Sequence, residues 1–219
     1  MKAKFFIPII LLSFVLASCE SEEERQRRLA RKEQQRIELE ERRKAEETER
    51  VFKLEQERIA EETKREQERQ EKAIYDRYIN NSLSSGSAPY AYCFGSNKSC
   101  SDWGCSEIKV RASNNSDVLV TIKKDDVVVR HAYIRAGGNF TFQLPNGTYQ
   151  PFFYYGKGWN PEKIMKQTKC GTLKGGFIDE EVFGKDGPQI LSNDILTYEL
   201  VLQKSGNFST KPSNVNEAF

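Results

Sequence analysis

The chain contains a single histidine among its 219 residues, and this scarcity limits the chemistry open to it. A Ser/His/Asp triad or a Cys/His dyad needs an imidazole as general base, so in this chain it would have to use His131. That residue falls in the middle of a run typical of a β-strand, and no nucleophile stands beside it. We therefore expect a structural histidine, no catalytic residues and no cofactor.

Motifs for nucleotide, calcium and nucleic-acid binding are also lacking. Gly156-Lys157-Gly158 is not followed by the Lys-Ser/Thr of a P-loop. The acids of segment 179–194 do not have the spacing of a twelve-residue EF-hand, so we expect no metal site. With Lys2 and Lys4 set aside, basic and acidic residues are equal in number and form no basic stripe, which argues against nucleic acid as a partner.

Segment 20–72 has neither glycine nor proline, and its 53 residues include 18 Asp/Glu and 16 Lys/Arg. Most of the others are Gln, Ala or Leu, which are good helix formers. Glu-to-Lys/Arg pairs four residues apart, such as Glu23–Arg27 and Glu61–Arg65, each contribute roughly 0.2–0.5 kcal/mol to a solvated helix. The pattern predicts a charged helix over residues 22–80 that is about 90 Å long.

This helix has no continuous hydrophobic seam. A coiled coil needs apolar residues every 3.5 positions on average. A heptad register that starts at Ala30 has both seam positions apolar only at Val51 and Leu54. We therefore expect a single helix, with a weak dimeric or trimeric coiled coil as the alternative and a disordered segment as a third interpretation.

The N-terminal residues have the three parts of an export signal. Lys2 and Lys4 precede an apolar run over 5–16, which is too short to cross a bilayer, since a spanning helix needs roughly 20 apolar residues. Leu16-Ala17-Ser18-Cys19 then resembles the lipobox of bacterial lipoproteins. The resemblance implies that residues 1–18 are a cleaved signal peptide and that Cys19 is acylated, with the lipid bilayer as partner. An ordinary secretory signal is the alternative.

The residues after Cys19 bear on localisation. Ser21 followed by Glu22-Glu23-Glu24 resembles the export signal of surface lipoproteins of the Bacteroidota, which implies the outer membrane and a surface-facing protein. In the alternative, the acids are the first turn of the helix, where negative charge is favourable, and the protein faces the periplasm. Both alternatives place the chain in the bacterial envelope.

The remainder of the chain predicts a linker over 81–89, a β domain over 90–205 and a tail over 206–219. Six short runs with period-two alternation are separated by turn residues such as Asp125-Asp126 and Gly137-Gly138. This pattern is typical of a β-sandwich. The expected fold class is therefore α+β by segments: a long charged helix, then a mainly antiparallel β-sandwich.

Four cysteines remain when Cys19 is set aside, and an even number in an exported chain predicts two disulfides. We expect one bond within the 93–105 cluster and one between that cluster and Cys170. The spacing of the four matches no zinc ribbon or knuckle. The four disulfide candidates are Cys93, Cys100, Cys105 and Cys170.

Residues 138–149, Gly-Asn-Phe-Thr-Phe-Gln-Leu-Pro-Asn-Gly-Thr-Tyr, resemble a hairpin of prealbumin-like modules, including the carboxypeptidase-regulatory type. The likeness covers about residues 107–156 and implies a sandwich that binds or presents, without catalytic residues. Segment 156–195 departs from the pattern and is expected to be irregular. The remainder is similar to uncharacterised exported proteins, a likeness that implies no function.

An aromatic set around Tyr154, Tyr155 and Trp159 is the one candidate ligand-binding feature. Both faces of the strand are aromatic there, so one set exceeds what a one-sided core needs and would suit a glycan or a protein partner. In the alternative, segment 156–195 folds back and covers it. We expect a lipid-anchored binding or structural module, and not an enzyme. The alternatives are a carbohydrate-active enzyme that uses acids of 179–194, and an envelope assembly element that acts through the helix.

Overall fold

A computed structural model of the chain describes residues 21–100, 104–201 and 211–219. It has a long N-terminal helix followed by a mostly antiparallel β domain with two sheets, as predicted. The helices are α1 (Glu22–Tyr78), α2 (Ala91–Phe94) and α3 (Val215–Ala218). The strands are β1 (Cys105–Arg111), β2 (Asp117–Lys124), β3 (Val127–Ile134), β4 (Asn139–Pro145), β5 (Gly147–Thr168), β6 (Gly171–Lys185), β7 (Gln189–Leu191), β8 (Ile195–Glu199) and β9 (Lys211–Pro212). The predicted signal peptide and Cys19 lie outside the described residues.

Helix α1 begins at a capping box. The Ser21 hydroxyl accepts a hydrogen bond from the Glu24 N–H at 3.2 Å, and the Glu24 carboxylate accepts one from the Ser21 N–H at 3.4 Å. No side chain of the helix is buried. Ion pairs occur where the spacing predicted them, at Glu23–Arg27, Glu40–Lys44 and Glu61–Arg65. The chain divides into two compact units after Glu66, so the last turns of α1 belong to the same unit as the β domain.

The β domain is a sandwich of a three-stranded and a larger sheet. The small sheet has the order β4-β1-β8, and the large sheet has the order β3-β2-β5-β6-β9, with β7 paired to β5. Strand β8 runs parallel to β1, while the other ladders among the described residues are antiparallel. The alternation read from the sequence places β1, β2 and β4 correctly.

The first core lies between the two sheets. Ile108 and Val110 of β1 and Phe142 of β4 pack there against Val120 of β2 and Phe153 of β5, and all five side chains are buried. These residues alternate with exposed or half-buried neighbours along the small sheet, because successive side chains of a strand point to opposite faces.

A second core covers the opposite face of the large sheet. Its centre is formed by Tyr133, Tyr154, Trp159 and Phe177, which are at most 2% exposed. The chain on either side of the strands covers this face: residues 83–94 before β1, and residues 215–219 after β9. The large sheet is therefore buried on both sides.

The predicted linker and the described end of the predicted tail both contact the domain. Residues 81–89 are fastened to the domain: the Gly86 N–H donates to the Tyr133 carbonyl at 2.8 Å, and the Tyr133 N–H donates to the Ser87 carbonyl at 2.7 Å. At the other end, the Phe219 side chain is 7% exposed and belongs to the second core. Small polar residues look like a linker in sequence, but here they supply backbone partners for an edge strand.

Segment 156–195 is also more regular than predicted, because β5 and β6 form a long hairpin across it. Bulges after Tyr155 and Asn160 interrupt the pairing, which hides the period of two in the sequence. Gly156 lies so close to Phe177 that a Cβ would clash with that side chain, and Gly175, at φ +114°, lies against the Trp159 ring. These two glycines suggest a loop in the sequence. In the structure, their lack of a side chain leaves room for the Phe177 and Trp159 rings.

The cysteines pair as the sequence predicted. Cys93 lies opposite Cys170 with their Cα atoms 5.4 Å apart, and Cys100 lies opposite Cys105 at 5.9 Å. Both separations suit a disulfide. The first pair fastens α2 to the tip of the β5–β6 hairpin, and so holds residues 83–94 on the second core.

Candidate functional site

The aromatic residues that the sequence offered for ligand binding are in the cores. Tyr154, Tyr155 and Trp159 are 1%, 7% and 2% exposed. Tyr154 and Tyr155 are successive residues of β5, so one faces the second core and the other the first. Phe183 stacks on Tyr154 with ring centroids 4.3 Å apart. The expectation of an exposed stacking surface is therefore corrected. Tyr155 is buried between the two sheets, and Tyr154 and Trp159 are covered by residues 83–94 and 215–219 together with Phe177 and Phe183, so segment 156–195 supplies only part of the cover.

His131 is fully buried and attaches residues 83–94, which cover the second core and are called the covering chain below, to β3. Its Nε2 accepts a hydrogen bond from the backbone N–H of Tyr90 at 3.1 Å, and its ring stacks on that of Tyr90. Burial lowers the pKa of His131 to about 4. The ring is therefore neutral near pH 7, and it serves as an acceptor inside the second core.

A polar network closes the rim of the second core. The Tyr154 hydroxyl donates to the Glu181 carboxylate and accepts from the Phe177 N–H at 2.8 Å. Lys163 pairs with Glu181 and donates to the Phe177 carbonyl at 2.6 Å. Burial raises the pKa of Tyr154 far above its ordinary value, so this hydroxyl remains a donor. The network positions the β5–β6 hairpin and engages the Tyr154 hydroxyl and the Lys163 ammonium group in hydrogen bonds.

Two acids of segment 179–194, Glu181 and Asp186, accept hydrogen bonds from tyrosines that belong to different cores. These two carboxylates therefore do not face each other across a cleft. Glu181 contacts Tyr154 of the second core, whereas Asp186 accepts a hydrogen bond from Tyr198 beside the first core at 2.8 Å. Glu180 pairs with Lys157 at 3.0 Å. The described residues contain no group of three or more His, Cys, Asp or Glu side chains that could hold a metal.

An open groove of about 1220 Å³ lies between the last turns of α1 and the hairpin, within the second compact unit. Its apolar lining comes from Ile74, Tyr75 and Tyr78 of the helix and from Ile164 and Ile178 of the strands. Ile164 is 67% exposed although it is a large aliphatic residue. The groove is the candidate functional site, because it brings three exposed large apolar side chains, Ile74, Tyr75 and Ile164, into one concave surface.

Both walls of the groove are fixed in place. The Trp159 N–H donates to the Asn81 carbonyl at 2.8 Å, and the Asn81 side-chain amide donates to the Trp159 carbonyl at 2.6 Å. The helical wall coincides with residues 73–79, where apolar side chains follow the charged run of the sequence. No pattern in the sequence indicates the other wall, because Ile164 sits between two bulges of β5.

Both acidic and basic side chains line the groove. Its charged lining residues are Glu68, Glu71, Lys72, Arg77, Glu162 and Lys163. A surface of this kind suits an apolar segment with polar flanks better than a small molecule of one charge.

Comparison with known proteins adds no assignment: no protein-family model matches the chain, and no curated protein is significantly similar to it. None of the helices in the described part of the chain is long and apolar enough to cross a membrane.

Proposed function

We propose that the chain is a lipid-anchored protein of the bacterial envelope, at the outer membrane, that carries a β-sandwich binding or structural module on a helical spacer. The observation that supports it is the position of α1. The helix begins at Glu22, three residues after Cys19, and continues to Tyr78 without a buried side chain. At 1.5 Å per residue it is about 85 Å long, far more than a short tether needs.

The sandwich suits an exported protein. Two cysteine pairs at disulfide distance are the usual arrangement in an oxidising compartment. Acylation of Cys19 would anchor the chain, since each buried methylene contributes about 0.8 kcal/mol and two or more chains together hold stably. The partner would be an envelope protein whose apolar segment enters the groove lined by Ile74 and Ile164, with an envelope glycan as the second candidate.

Metabolic labelling with an alkyne fatty acid tests the anchor. We expect the full chain to be labelled and to fractionate with membranes. Cys19→Ser should lose both properties, while Ser18→Ala, which keeps a small residue in the lipobox, should retain them. Equal labelling of the two variants, or an unlabelled wild-type chain, would remove acylation from the proposal.

Protease treatment of intact and permeabilised cells locates the module. Cleavage in intact cells would establish a surface-facing domain, and cleavage only after permeabilisation a periplasmic one. A chain that resists protease in both samples, but is cleaved after cell lysis, would contradict envelope localisation.

A further inference from the structure

Helix α1 carries an almost uncharged row of side chains that repeats every 11 residues. From Gln26 to Thr63 the row advances in steps of four, four and three residues, and it visits eleven positions. Glu41 is its only charged member, although 35 of the 57 residues of the helix are charged. Its larger apolar members are Ile37, Phe52 and Ile59. The row is therefore a continuous face that the heptad pattern does not reveal.

The period of this row determines the geometry of any helix that packs on it. Eleven residues make three turns at 3.67 residues per turn, whereas an α-helix has 3.6. On a straight helix the row drifts by about 20° per repeat, in the sense opposite to a heptad seam. A slight right-handed supercoil keeps it on one side.

The row is exposed and unpartnered within the described part of unit 1–66. Phe52, Ile59 and Ile37 are 65%, 47% and 49% exposed. A partner that covers the whole row must itself be a helix with an 11-residue period over about 56 Å. A second copy of this chain meets that requirement, because its own α1 has the same row.

Charges beside the row favour a parallel pair. On one flank, every eleventh residue from Arg31 to Lys64 is basic, with Glu38 and Glu49 as acidic members of the same flank. The opposite flank is mainly acidic, with Lys44 as its basic member, and includes Glu33, Glu40, Glu55 and Glu62. In a parallel pair the basic flank of one helix faces the acidic flank of the other, whereas an antiparallel pair brings like flanks together.

We infer that α1 pairs with α1 of a second copy, parallel and in register, as a right-handed coiled coil along this row. The Gln and Thr residues of the row make the association modest, since polar seam positions lower stability while they fix register. The pairing adds a partner to the proposed spacer and does not depend on acylation.

Cysteine cross-linking of the full chain in expressing cells tests the orientation. Ala30→Cys and Thr63→Cys, which lie about 50 Å apart along the helix, should each give disulfide-linked homodimers under mild oxidation. Arg43→Cys and Arg65→Cys, on the opposite side of the helix, are the matched controls, and the unsubstituted chain sets the background. Cross-linking that is as strong at the control positions, or absent at Ala30 and Thr63, would overturn the inference.

A pair of charge substitutions identifies the seam. Phe52 and Leu54 are exposed to similar extents, 65% and 58%, but only Phe52 is in the 11-residue row, while Leu54 is in the heptad register. With Ala30→Cys as reporter, Phe52→Glu should reduce cross-linked dimer roughly tenfold, equivalent to about 1.4 kcal/mol, and Leu54→Glu should leave it unchanged. If Leu54→Glu reduced the dimer and Phe52→Glu did not, the helices would pair along the heptad register. If both had the same effect, neither row would be a specific seam. Either outcome overturns the inference.

Discussion

The backbone N–H of Tyr90 donates a hydrogen bond to Nε2 of His131 at 3.1 Å, and the two rings are stacked with centroids 6.0 Å apart. This contact joins the covering chain to β3, and it requires the imidazole to be neutral. A protonated ring would turn its lone-pair nitrogen into a second donor that faces the Tyr90 N–H.

The stability of the β domain should therefore depend on pH through His131. Its pKa is about 4 in the folded chain, while an unfolded histidine has a pKa near 6.5. Between these values the unfolded state binds more protons, so the free energy of unfolding should fall as pH decreases from 6.5 to 4, by on the order of 3 kcal/mol. Urea unfolding at a series of pH values measures it.

His131→Gln provides the control for this titration, since glutamine does not ionise in the range. The variant is expected to be less stable at pH 7 but to have a shallower pH dependence between 6.5 and 4. Identical slopes for the two proteins would show that other groups, such as the carboxylates, account for acid sensitivity.

The two disulfides should contribute unequally to stability. Cys93–Cys170 closes a separation of 77 residues and Cys100–Cys105 one of 5. The chain-entropy relation gives about 4.5 kcal/mol for the long loop and about 2 kcal/mol for the short one. Paired Cys→Ser variants, compared by urea unfolding, should differ in this order. An equal loss for both pairs would mean that loop closure is not the main effect.

Removal of the Phe219 side chain should destabilise the domain as a core substitution does. The ring contacts Tyr90 edge to face with centroids 5.2 Å apart. Phe219→Ala should cost about 3 kcal/mol, whereas Val201→Ala, at a residue that is 66% exposed, should change stability by less than about 0.5 kcal/mol. Thermal or urea unfolding distinguishes the two. A neutral Phe219→Ala would mean that the C-terminal residues do not close the second core.

Binding of a partner at the groove should be weakened by a charge introduced at Ile164, but not by a charge introduced at a comparably exposed residue elsewhere. Ile164 and Ile190 are 67% and 80% exposed, but only Ile164 lines the groove. Ile164→Glu should abolish co-purification of the chain with an envelope partner stabilised by cross-linking in cells, and Ile190→Glu should not. Both variants are expected to unfold at the same urea concentration as the wild type. Loss of the partner with both substitutions would argue against the groove as the binding site.

The sequence predicted the fold wherever a single periodicity persists. The charge spacing of 20–72 identified α1, and alternation such as that of Ile108 and Val110 identified the strands of the sandwich. The even cysteine count predicted two disulfides, and the structure adds that Cys93 is the member of the 93–105 cluster that pairs with Cys170. Each of these signals can be recognised in the sequence without knowledge of tertiary contacts.

The remaining features depend on contacts between distant segments. Tyr154 and Tyr155 suggested a surplus of aromatics because a second core was not foreseen, and that core is assembled by residues 83–94 and 215–219. The bulges near Ile164 removed the alternation that would have revealed the hairpin. The groove could not be predicted, since one of its walls exists only where those bulges turn a large aliphatic residue outward.

The hydrogen bonds of Gly86 and Ser87 with Tyr133 have a consequence for behaviour at high local concentration. Strand β3 is an outer strand of the large sheet, and an open outer strand is a template on which another chain can add and start aggregation. The preceding segment occupies those backbone groups of Tyr133. A protein crowded on a two-dimensional surface would gain from such a blocked edge, because encounters between neighbours there are frequent.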